Sequence, residues 1–507
     1  MNESRNLTLP ENAFRELKPG EKYIPVIPSS LSINEATPRS FAIGFILNII
    51  FSMSAAYIAL KLGQGIETAI PIAILAVGIS AGLRRKSTLL ENVNVMAFGA
   101  TSGIIVGGAV FTLPALFILG IDHLSSLFQL FFVAFFGAVL GVMFLIPFRR
   151  YFVEDMHGKL PFPEATATTE ILIAGEKGGQ QAKVLGLAML AGGIYDFLVI
   201  SLHLWRENFT TSLIKFLDPL TNKAKAVFSM NTSAAIAGLG YIIGVRYAAI
   251  IFAGSMLSWF VLVPLFSHLS LSQAGALGAN QGVTAGLAGL PAEDIFYNHV
   301  RYIGIGGIFI AGLIGILKLS PVIVQALGRG FADFLTSSKS HSQTRTIERT
   351  DSDIPMGIVT AITLATIVLL WAYFRFSVLK GLENATTLSI LALAVTVIIS
   401  FLFASVSARA VAMIGVTPIS GMTLMTLVVS SLIMIKAGLT GPHGMLAALL
   451  IGGVVCTALS TTATLVTEFK VAYWIGATPR KVQISNIFGA ALAAIVVSLV
   501  ILSLIHI

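Results

Sequence analysis

Charged residues are scarce in this chain, and their scarcity excludes a soluble globular fold. Lys, Arg, Asp and Glu make up 11% of the 507 residues, whereas hydrophobic residues make up 56%. Soluble proteins carry about 25% charged residues, so this composition cannot cover a surface that faces water. The net charge of +8 is attributed to basic loops on the cytoplasmic side of a membrane and not to nucleic-acid binding.

Cysteine and the common catalytic motifs are also nearly absent. The one cysteine, Cys456, cannot form an internal disulfide. The sequence has no HExxH zinc motif, no Walker A phosphate loop and no GxSxG nucleophile elbow, which excludes the enzymes and ATP-driven machines that use those motifs. We expect no cofactor and no resident metal, and we expect a transporter rather than an enzyme.

Long apolar runs fill the chain from residue 40 onwards. A membrane-spanning helix needs about 20 apolar residues, so these runs predict an all-α polytopic membrane protein. We expect about 12–14 transmembrane helices, together with broken or re-entrant segments. The predicted spans lie near 40–62, 66–83, 91–119, 125–148, 182–203, 232–247, 248–266, 301–322, 355–374, 385–407, 409–435, 444–466 and 482–501.

Basic residues between the apolar runs predict the orientation, because Lys and Arg concentrate in cytoplasmic loops. The polar residues 1–39 are interpreted as a cytoplasmic tail. With this tail inside, the basic clusters at residues 84–86 and 149–150 and the loop that holds Lys470, Arg480 and Lys481 also face the cytoplasm. We therefore expect a multi-pass protein of the cell membrane, which is the inner membrane in a bacterium.

The chain is predicted to contain two related transmembrane halves, 40–335 and 355–501, joined by a cytoplasmic linker at 336–354. A faint internal repeat supports this division. A Thr-Glu pair begins at Thr169 and again at Thr467, and each is followed by a short apolar stretch, a Gly-containing loop and a new apolar run. Transporters are commonly built from duplicated halves.

Small residues recur every four positions in some apolar runs. Gly99, Gly103 and Gly107 form one such series, and Gly307, Ala311 and Gly315 form another. This spacing places small side chains on one face of a helix, where the backbone of a neighbour approaches closely. We expect these faces to be packing contacts, with a sliding or hinging wall as the alternative.

The segment after the fourth run has the composition of a broken helix. Pro161 and Pro163 bracket Phe162 and prevent a regular helix across them, and a Thr-rich stretch too short to span the membrane follows. Broken helices present free backbone groups to substrates in transporters. A connector lying on the membrane surface is the alternative interpretation. The candidate substrate-binding residues are Asn92, Glu164, Thr166, Thr168 and Glu170.

Acidic residues in or beside the apolar runs are the candidate proton carriers. A charge at the centre of a membrane helix costs about 2.5–3.5 kcal/mol on insertion scales, so such residues are functional candidates by default. The candidates are Glu67, Glu91, Asp196 and Glu468. For Asp196, a structural role is the alternative.

Three stretches resemble motifs of the oligopeptide transporter (OPT) family, which includes the yellow-stripe-like carriers of metal chelates. The HGKLPFPE stretch at 157–164 resembles the family's Lys-Leu-Pro-aromatic-Pro motif. Glu91-Asn92 followed by residues 102–108 resembles the early motif, and Glu468-Phe469-Lys470 followed by residues 476–481 resembles the late motif. The matches occur in the expected order along most of the chain.

The chain departs from the family pattern at two positions. Bacterial members often carry an acidic residue where this chain has Gly103, and they often have Ala-Asp where it has Ala463-Thr464. The family is also longer than this chain. We therefore expect a truncated gene product, in which Leu502–Ile507 is the translation of a transposon end used in sequencing libraries, and a native truncation is the alternative.

The resemblance implies a secondary active, proton-coupled transporter of small oligopeptides. A carrier of metal–chelate complexes within the same family is the alternative, and a non-transporting membrane receptor or scaffold is the alternative from a different class. The expected partners are the peptide or metal–chelate substrate, protons and the lipid bilayer.

Overall fold

Helices dominate the computed structural model, which describes residues 8–62, 67–82, 85–121, 123, 126–177, 179–268, 287–308, 310–311, 314, 317, 348–415 and 419–504. Within these ranges, eight helices are long and apolar enough to cross a membrane, and three shorter apolar helices accompany them. One two-stranded sheet is the only strand pairing in the described ranges. The predicted all-α polytopic membrane fold is therefore confirmed.

The elements follow one another along the chain in three groups. The first group is α1 (Pro38–Leu62), α2 (Ala69–Gly82), α3 (Leu89–Ala109), α4 (Ala115–Ile118), α5 (Leu127–Leu145) and α6 (Pro163–Lys177). The second is α7 (Gly179–Ile200), β1 (Asn208–Thr210), β2 (Ser229–Asn231), α8 (Ala234–Ile243), α9 (Val245–Met256), α10 (Val263–Ser267) and α11 (Ala292–Ile295). The third is α12 (Met356–Tyr373), α13 (Ala385–Ile414), α14 (Ile419–Lys436), α15 (Gly441–Ile475) and α16 (Pro479–Leu504).

Contacts divide these elements into two compact units. One unit comprises Met1–Ala182 and Gly312–Ile507, and the other comprises Lys183–Ala311. In the second unit, β1 and β2 pair antiparallel, and a small apolar cluster forms around Val263 and Ile295. These units do not test the predicted division into two halves joined at 336–354. Most of that linker lies within residues 318–347, which are outside the described ranges, so the division stays a prediction.

Several predicted spans have different boundaries in the structure. Helix α3 ends at Ala109 instead of continuing to residue 119, because a turn at residues 110–114 leads into Pro114, which caps α4. The span predicted at 232–247 is interrupted at Gly244, whose φ of +81° separates α8 from α9. The span predicted at 301–322 is described only in part.

Lys470 was predicted to lie in a cytoplasmic loop, and this prediction is wrong. Helix α15 continues to Ile475 and carries Lys470 as a fully buried side chain. The helix continues because the two charged residues of this turn, Glu468 and Lys470, both find partners inside the protein. A sequence rule that assigns every lysine between apolar runs to water could not detect such partners.

Helix α15 forms the core of the first unit. Every residue from 446 to 475 except Tyr473 is buried, and α3 is almost as completely enclosed. Helices α3, α5, α6, α13, α14 and α16 pack around α15. Its many threonines tolerate burial because their hydroxyls bond to carbonyls one turn back, as Thr457 does to Gly453 O at 2.8 Å and Thr461 to Thr457 O at 2.7 Å.

Glycines allow the neighbouring helices to approach α15 closely. A Cβ atom on Gly108 of α3 would lie 2.4 Å from the Cα of Thr457, and one on Gly141 of α5 would lie 2.6 Å from the Cβ of Thr461. The predicted packing role is confirmed for Gly107, where a Cβ would lie 2.7 Å from Ser460 Oγ. Gly307, in the second unit, has no atom within 4 Å of such a Cβ.

The N-terminal segment, residues 8–37, covers the C-terminal end of α15. The amides of Val26 and Ile27 donate to the carbonyls of Trp474 at 3.0 Å and Ile475 at 2.9 Å. These are carbonyls that a helix end leaves without internal partners. Gly476 continues the chain at φ +91°, and a Cβ there would lie 2.1 Å from Ile27 O, so only glycine fits under the segment.

A buried carboxylate, Glu35, fastens this segment to two other parts of the chain. Its oxygens lie 2.7 Å from Arg349 Nη1 and 3.7 Å from Lys481 Nζ, and they accept bonds from the backbone N–H and hydroxyl of Thr478 at 3.1 and 2.8 Å. Arg349 also donates to Gly476 O at 2.6 Å. We call the set Glu35, Arg349, Thr478 and Lys481 the polar latch.

Basic residues predicted to share one side of the membrane do lie at one end of this unit. Arg349 and Lys481 contact the N-terminal segment through Glu35, and Lys159 contacts it through Glu16. Arg39, at the start of α1, donates to the carbonyl of Arg85. That this end faces the cytoplasm stays a prediction.

Close packing at Gly108 predicts a specific loss of stability. In a Gly108→Ala variant the added methyl group meets the backbone of Thr457, so we expect the helices to separate slightly at a cost of about 1–3 kcal/mol. The matched control is Gly78→Ala in α2, where a Cβ has no atom within 4 Å and where alanine should stabilise the helix by up to about 1 kcal/mol. Thermal unfolding of the detergent-solubilised proteins measures both. Equal midpoints for the two variants would contradict the packing account.

The polar latch predicts a second loss of stability. Glu35→Ala leaves the Arg349 guanidinium without its carboxylate, and breaking a buried pair in this way costs about 3–5 kcal/mol. The control is Glu16→Ala, because Glu16 is exposed and lies 4.0 Å from the exposed Lys159, a pair worth about 0–1 kcal/mol. Protease cleavage within residues 8–37 should become faster in the first variant and not in the second.

Candidate functional site

The Pro-bracketed segment begins helix α6 at a strained residue. Phe162 has a φ of +44°, a conformation that costs free energy for a residue with a bulky side chain. Its N–H donates to Ala412 O on α13 at 2.9 Å, and Pro163 then starts the helix. The two prolines and this hydrogen bond set the direction in which α6 leaves the turn, and so they position Glu164.

Helix α6 has the length of a segment that enters the membrane domain without crossing it. Its 15 residues span about 22 Å at 1.5 Å per residue, which is less than the roughly 30 Å of a hydrocarbon core. The helix packs against α2, α3 and α15. A Cβ atom on Gly175 would lie 2.1 Å from Val77 Cγ1 of α2. The helix is too short to cross the membrane, and whether it enters the membrane or lies as a connector on its surface stays a prediction.

Three acidic residues from distant parts of the sequence meet beside α6. Glu67 precedes α2, Glu164 lies in the first turn of α6, and Glu468 lies on α15. The carboxyl groups of Glu67 and Glu164 are in hydrogen-bond contact with each other, and Glu468 is close enough to both to repel their charge. We call these three residues the carboxylate cluster.

Helix α15 supplies the hydroxyl donors of the cluster from one face. Thr464 donates to Glu67 Oε1 at 3.4 Å, and Thr467 donates to Glu164 Oε2 at 3.3 Å. Residues spaced by three and four lie together on a helix surface, so Thr464, Thr467 and Glu468 face the same side. Asn486 of α16 donates its amide N–H to Glu468 Oε2.

The cluster contains more buried acceptors than donors. Glu164 Oε1 and Glu468 Oε1 are buried and accept no hydrogen bond from any group in the described ranges. No lysine or arginine with a described side chain forms an ion pair with any of the three carboxylates. Two ionised carboxylates in direct contact repel each other, and such pairs hold a shared proton. The Glu67–Glu164 contact therefore brings two candidate residues together, and a role in proton binding stays a prediction.

The three carboxylates differ in their access to solvent. Glu67 is exposed, whereas Glu164 and Glu468 are 6% and 0% exposed. The cluster therefore has one carboxylate at an exposed position and two that are enclosed.

Glu91 has a structural environment. Its carboxylate accepts from the N–H of Thr88 at 2.8 Å while its own N–H donates to the Thr88 hydroxyl at 3.1 Å, which is a capping box at the start of α3. Thr37 donates to Glu91 Oε1 at 2.8 Å, and Arg85 lies 3.3 Å away. These partners fix Glu91 at the end of a helix, outside the carboxylate cluster.

The remaining substrate-binding candidates are distributed along α3 and α6. Thr166 donates to Phe162 O at 3.0 Å and so stabilises the turn before Glu164. Asn92 and Thr168 are buried, and Asn92 Oδ1 and Thr168 Oγ1 have no partner within the described part of the chain. Glu170 is exposed. Glu164 alone among these candidates belongs to the carboxylate cluster.

Asp196 lies in the second unit and caps a helix there. Its oxygens accept from the N–H of Ala234 at 2.8 Å and the hydroxyl of Ser233 at 3.3 Å, so the carboxylate sits at the N-terminus of α8, where a negative charge is favoured. These contacts supply the structural role that was the alternative for this residue. A part in proton transfer stays a prediction.

Lys470 occupies an aromatic cage between the cluster and the N-terminal segment. Its ammonium group donates to Val153 O at 2.9 Å and lies 3.4 Å from His157 Nδ1. The rings of Phe162, Tyr473 and Trp474 surround it at 5.2, 4.8 and 5.1 Å, within the range of cation–π attraction.

His157 completes the cage as a neutral imidazole. Burial lowers the pKa of His157 below its ordinary value, and the neighbouring Lys470 ammonium lowers it further. A neutral ring accepts at Nδ1 from Lys470 and donates from Nε2 to Asn12 O at 2.8 Å. The late family motif thus places its lysine under the turn that holds Phe162, two residues before Glu164.

Both departures from the family pattern lie beside the carboxylate cluster. Thr464, where bacterial members often have aspartate, is the residue that donates to Glu67. The N–H of Gly103, where they often have an acidic residue, donates at 3.1 Å to the hydroxyl of Thr68, the neighbour of Glu67. The positions that carry extra acids in those members therefore surround the same site.

Sequence reasoning did not identify Thr467 and Asn486 as members of the site. Both are polar residues in apolar helices, a pattern that marks candidates but does not distinguish a partner from a self-bonded hydroxyl. No group of three or more His, Cys, Asp or Glu side chains suited to a metal ion occurs among the residues that the structure describes.

Comparisons with known proteins identify the family of this chain. The sequence model described as "OPT oligopeptide transporter protein" matches residues 35–507. A curated protein of Haemophilus influenzae, described as "Putative oligopeptide transporter", is 27% identical over 463 residues, which cover 89% of this chain and 70% of that protein. Because the match of the sequence model covers nearly the whole chain and includes the three residues of the cluster, the chain belongs to the OPT oligopeptide transporter family.

Proposed function

We propose that this protein is a secondary active transporter that imports small peptides together with protons, and that the Glu67–Glu164 pair binds one of the protons. The contact between these two carboxyl groups, one of them exposed and the other buried, carries the proposal. Their separation in sequence makes the pair sensitive to any movement of α2 or α15 relative to α6.

The composition of the pair supports a proton as the coupling ion. Its hydrogen-bond partners among the described residues are Thr464 and Thr467, which are weak ligands for a cation. A shared proton needs only two carboxylate oxygens in contact, which Glu67 and Glu164 supply. In the outward-open state Glu67 takes up a proton from water, and the proton is released when the pair separates on the other side.

The turn before α6 supports a peptide as the substrate. The first residues of a helix present unpaired N–H groups and a partial positive charge, which attract an anionic group such as a peptide carboxylate. The exposed carboxylate of Glu67 attracts the opposite, ammonium end. Glu164, Thr166, Thr168, Glu170 and Asn92 remain the candidate contacts along this path.

Peptide transport is favoured over metal–chelate transport by the description of the H. influenzae relative. A liposome assay distinguishes the two substrates and also tests the receptor alternative. Purified protein in liposomes is given an inward proton gradient and either radiolabelled trialanine or an iron(III)–hydroxamate chelate. Accumulation of trialanine alone supports the proposal, accumulation of the chelate alone supports the alternative carrier, and binding without accumulation of either supports a receptor.

The pair predicts how the Glu164→Gln variant behaves. The glutamine amide donates to Glu67 in place of the proton, so the pair no longer needs to bind and release one. With the membrane potential held at zero, each coupled proton contributes a factor of about ten in accumulation for one pH unit. We therefore expect Glu164→Gln to accumulate trialanine about tenfold less than wild type across one pH unit, while exchange of trialanine in both directions continues.

The matched control for this test is Glu176→Gln, which changes an exposed glutamate near the other end of the same helix. It should accumulate trialanine as the wild-type protein does. Wild-type accumulation that is unaffected by collapse of the pH gradient would refute proton coupling altogether.

A further inference from the structure

Glu468 stands apart from the Glu67–Glu164 pair in its hydrogen bonding. Its Oε2 accepts from the side-chain amide of Asn486, and its Oε1 accepts from no described group. The orientation of that amide is fixed, because Nδ2 also donates to Val482 O at 3.1 Å. Asn486 Oδ1 therefore points away from Glu468 Oε2 and is itself a buried acceptor without a described partner.

Both residues are enclosed by protein and lie away from the surface. Glu468 is 0% exposed and Asn486 is 1% exposed. A buried acceptor without a donor is costly, and a buried charge without a counter-charge costs more. A proton on Glu468 removes the charge and supplies an O–H donor in the same position.

The charged groups around Glu468 offer no alternative to a proton. On the side of α6 and α2 it faces Glu164 and Glu67, which are also acidic. Lys470 lies on the same helix as Glu468, but its ammonium group contacts Val153 O, His157 and the aromatic cage instead. Neither Arg409 of α13 nor Lys481 of α16 forms an ion pair with Glu468, and Lys481 pairs with Glu35 instead.

We propose that Glu468 is a second proton-binding site, held in place by Asn486, so that the transporter carries two protons with each peptide. The inference rests on the proposed function, since it assigns a stoichiometry to the same transport cycle. One proton occupies the Glu67–Glu164 pair, and the second neutralises Glu468. Both leave when α15 moves away from α6 and α16 and water reaches the carboxylates.

Accumulation ratios test the stoichiometry directly. Full-length protein in liposomes is given radiolabelled trialanine, one pH unit of gradient and a membrane potential held at zero with potassium and valinomycin. Two coupled protons permit about 100-fold accumulation, and one permits about tenfold. We expect about 100-fold for wild type, about tenfold for Glu468→Gln, about tenfold for Glu164→Gln, and no accumulation for the double variant.

The conservative variant Glu468→Asp separates loss of the carboxyl group from loss of packing. It keeps a group that binds a proton beside Asn486, so it should return the ratio towards the wild-type value. A structural role for Glu468 would instead give Gln and Asp variants with the same ratio as wild type and lower transport rates.

The outcomes distinguish this inference from the proposed function. A wild-type ratio of about ten that Glu468→Gln leaves unchanged overturns the second site while leaving proton coupling intact. A wild-type protein that does not respond to the pH gradient overturns proton coupling itself. If Glu468→Gln does not fold, the accumulation ratio of Glu164→Gln tests the inference. A residual tenfold accumulation requires a proton site outside the Glu67–Glu164 pair. No residual accumulation rules out Glu468 as a second proton site.

Discussion

The close approach of three carboxylates, two of them buried, without a matching cation is the constraint on which the structure of this site depends. Ionised, Glu67, Glu164 and Glu468 would repel one another in a region of low dielectric constant, where charge interactions are strong. Neutralised by protons, they pack beside Thr464, Thr467 and Asn486 as ordinary polar groups. Under the proposed function, protonation therefore favours the compact arrangement of this site and links the conformation of the helices to the proton concentration.

The fold surrounding the cluster is built so that a change there must move whole helices. Helix α15 is enclosed on every side, and glycines such as Gly108 and Gly141 hold its neighbours at backbone distance. A densely packed interior transmits displacement and does not absorb it. Nearer the end of the same helix, the N-terminal segment and the polar latch close the unit about two turns beyond Glu468. Separation of the carboxylates would accordingly displace the polar latch. This displacement is a physical route from proton binding to opening of the unit at the C-terminal end of α15.

The sequence was sufficient to predict the membrane class and the family, and it singled out each member of the carboxylate cluster as a candidate. Apolar runs of about 20 residues have one interpretation in most contexts, and acidic residues in or beside them are conspicuous. It was not sufficient to predict that Glu67, Glu164 and Glu468 meet, because residues 67 and 468 are brought together by packing between helices from opposite ends of the chain. Glu91 shows that an acidic residue beside an apolar run need not belong to the cluster. Its sequence context resembles that of Glu67, yet a capping threonine three residues earlier makes its environment structural. Lys470 was misplaced because Val153 and Phe162 come from a distant part of the sequence, and the nearby Tyr473 and Trp474 do not by themselves indicate that a lysine is buried.

The central claim is that peptide movement carries protons through this cluster, and a measurement of the protons themselves tests it most directly. Liposomes containing the protein and an internal pH dye are placed at equal pH on both sides, and trialanine is added outside. The account predicts that the interior acidifies as the peptide enters, and that the acidification disappears when Glu164 and Glu468 are both glutamine. Entry of trialanine with no change in internal pH would contradict the account.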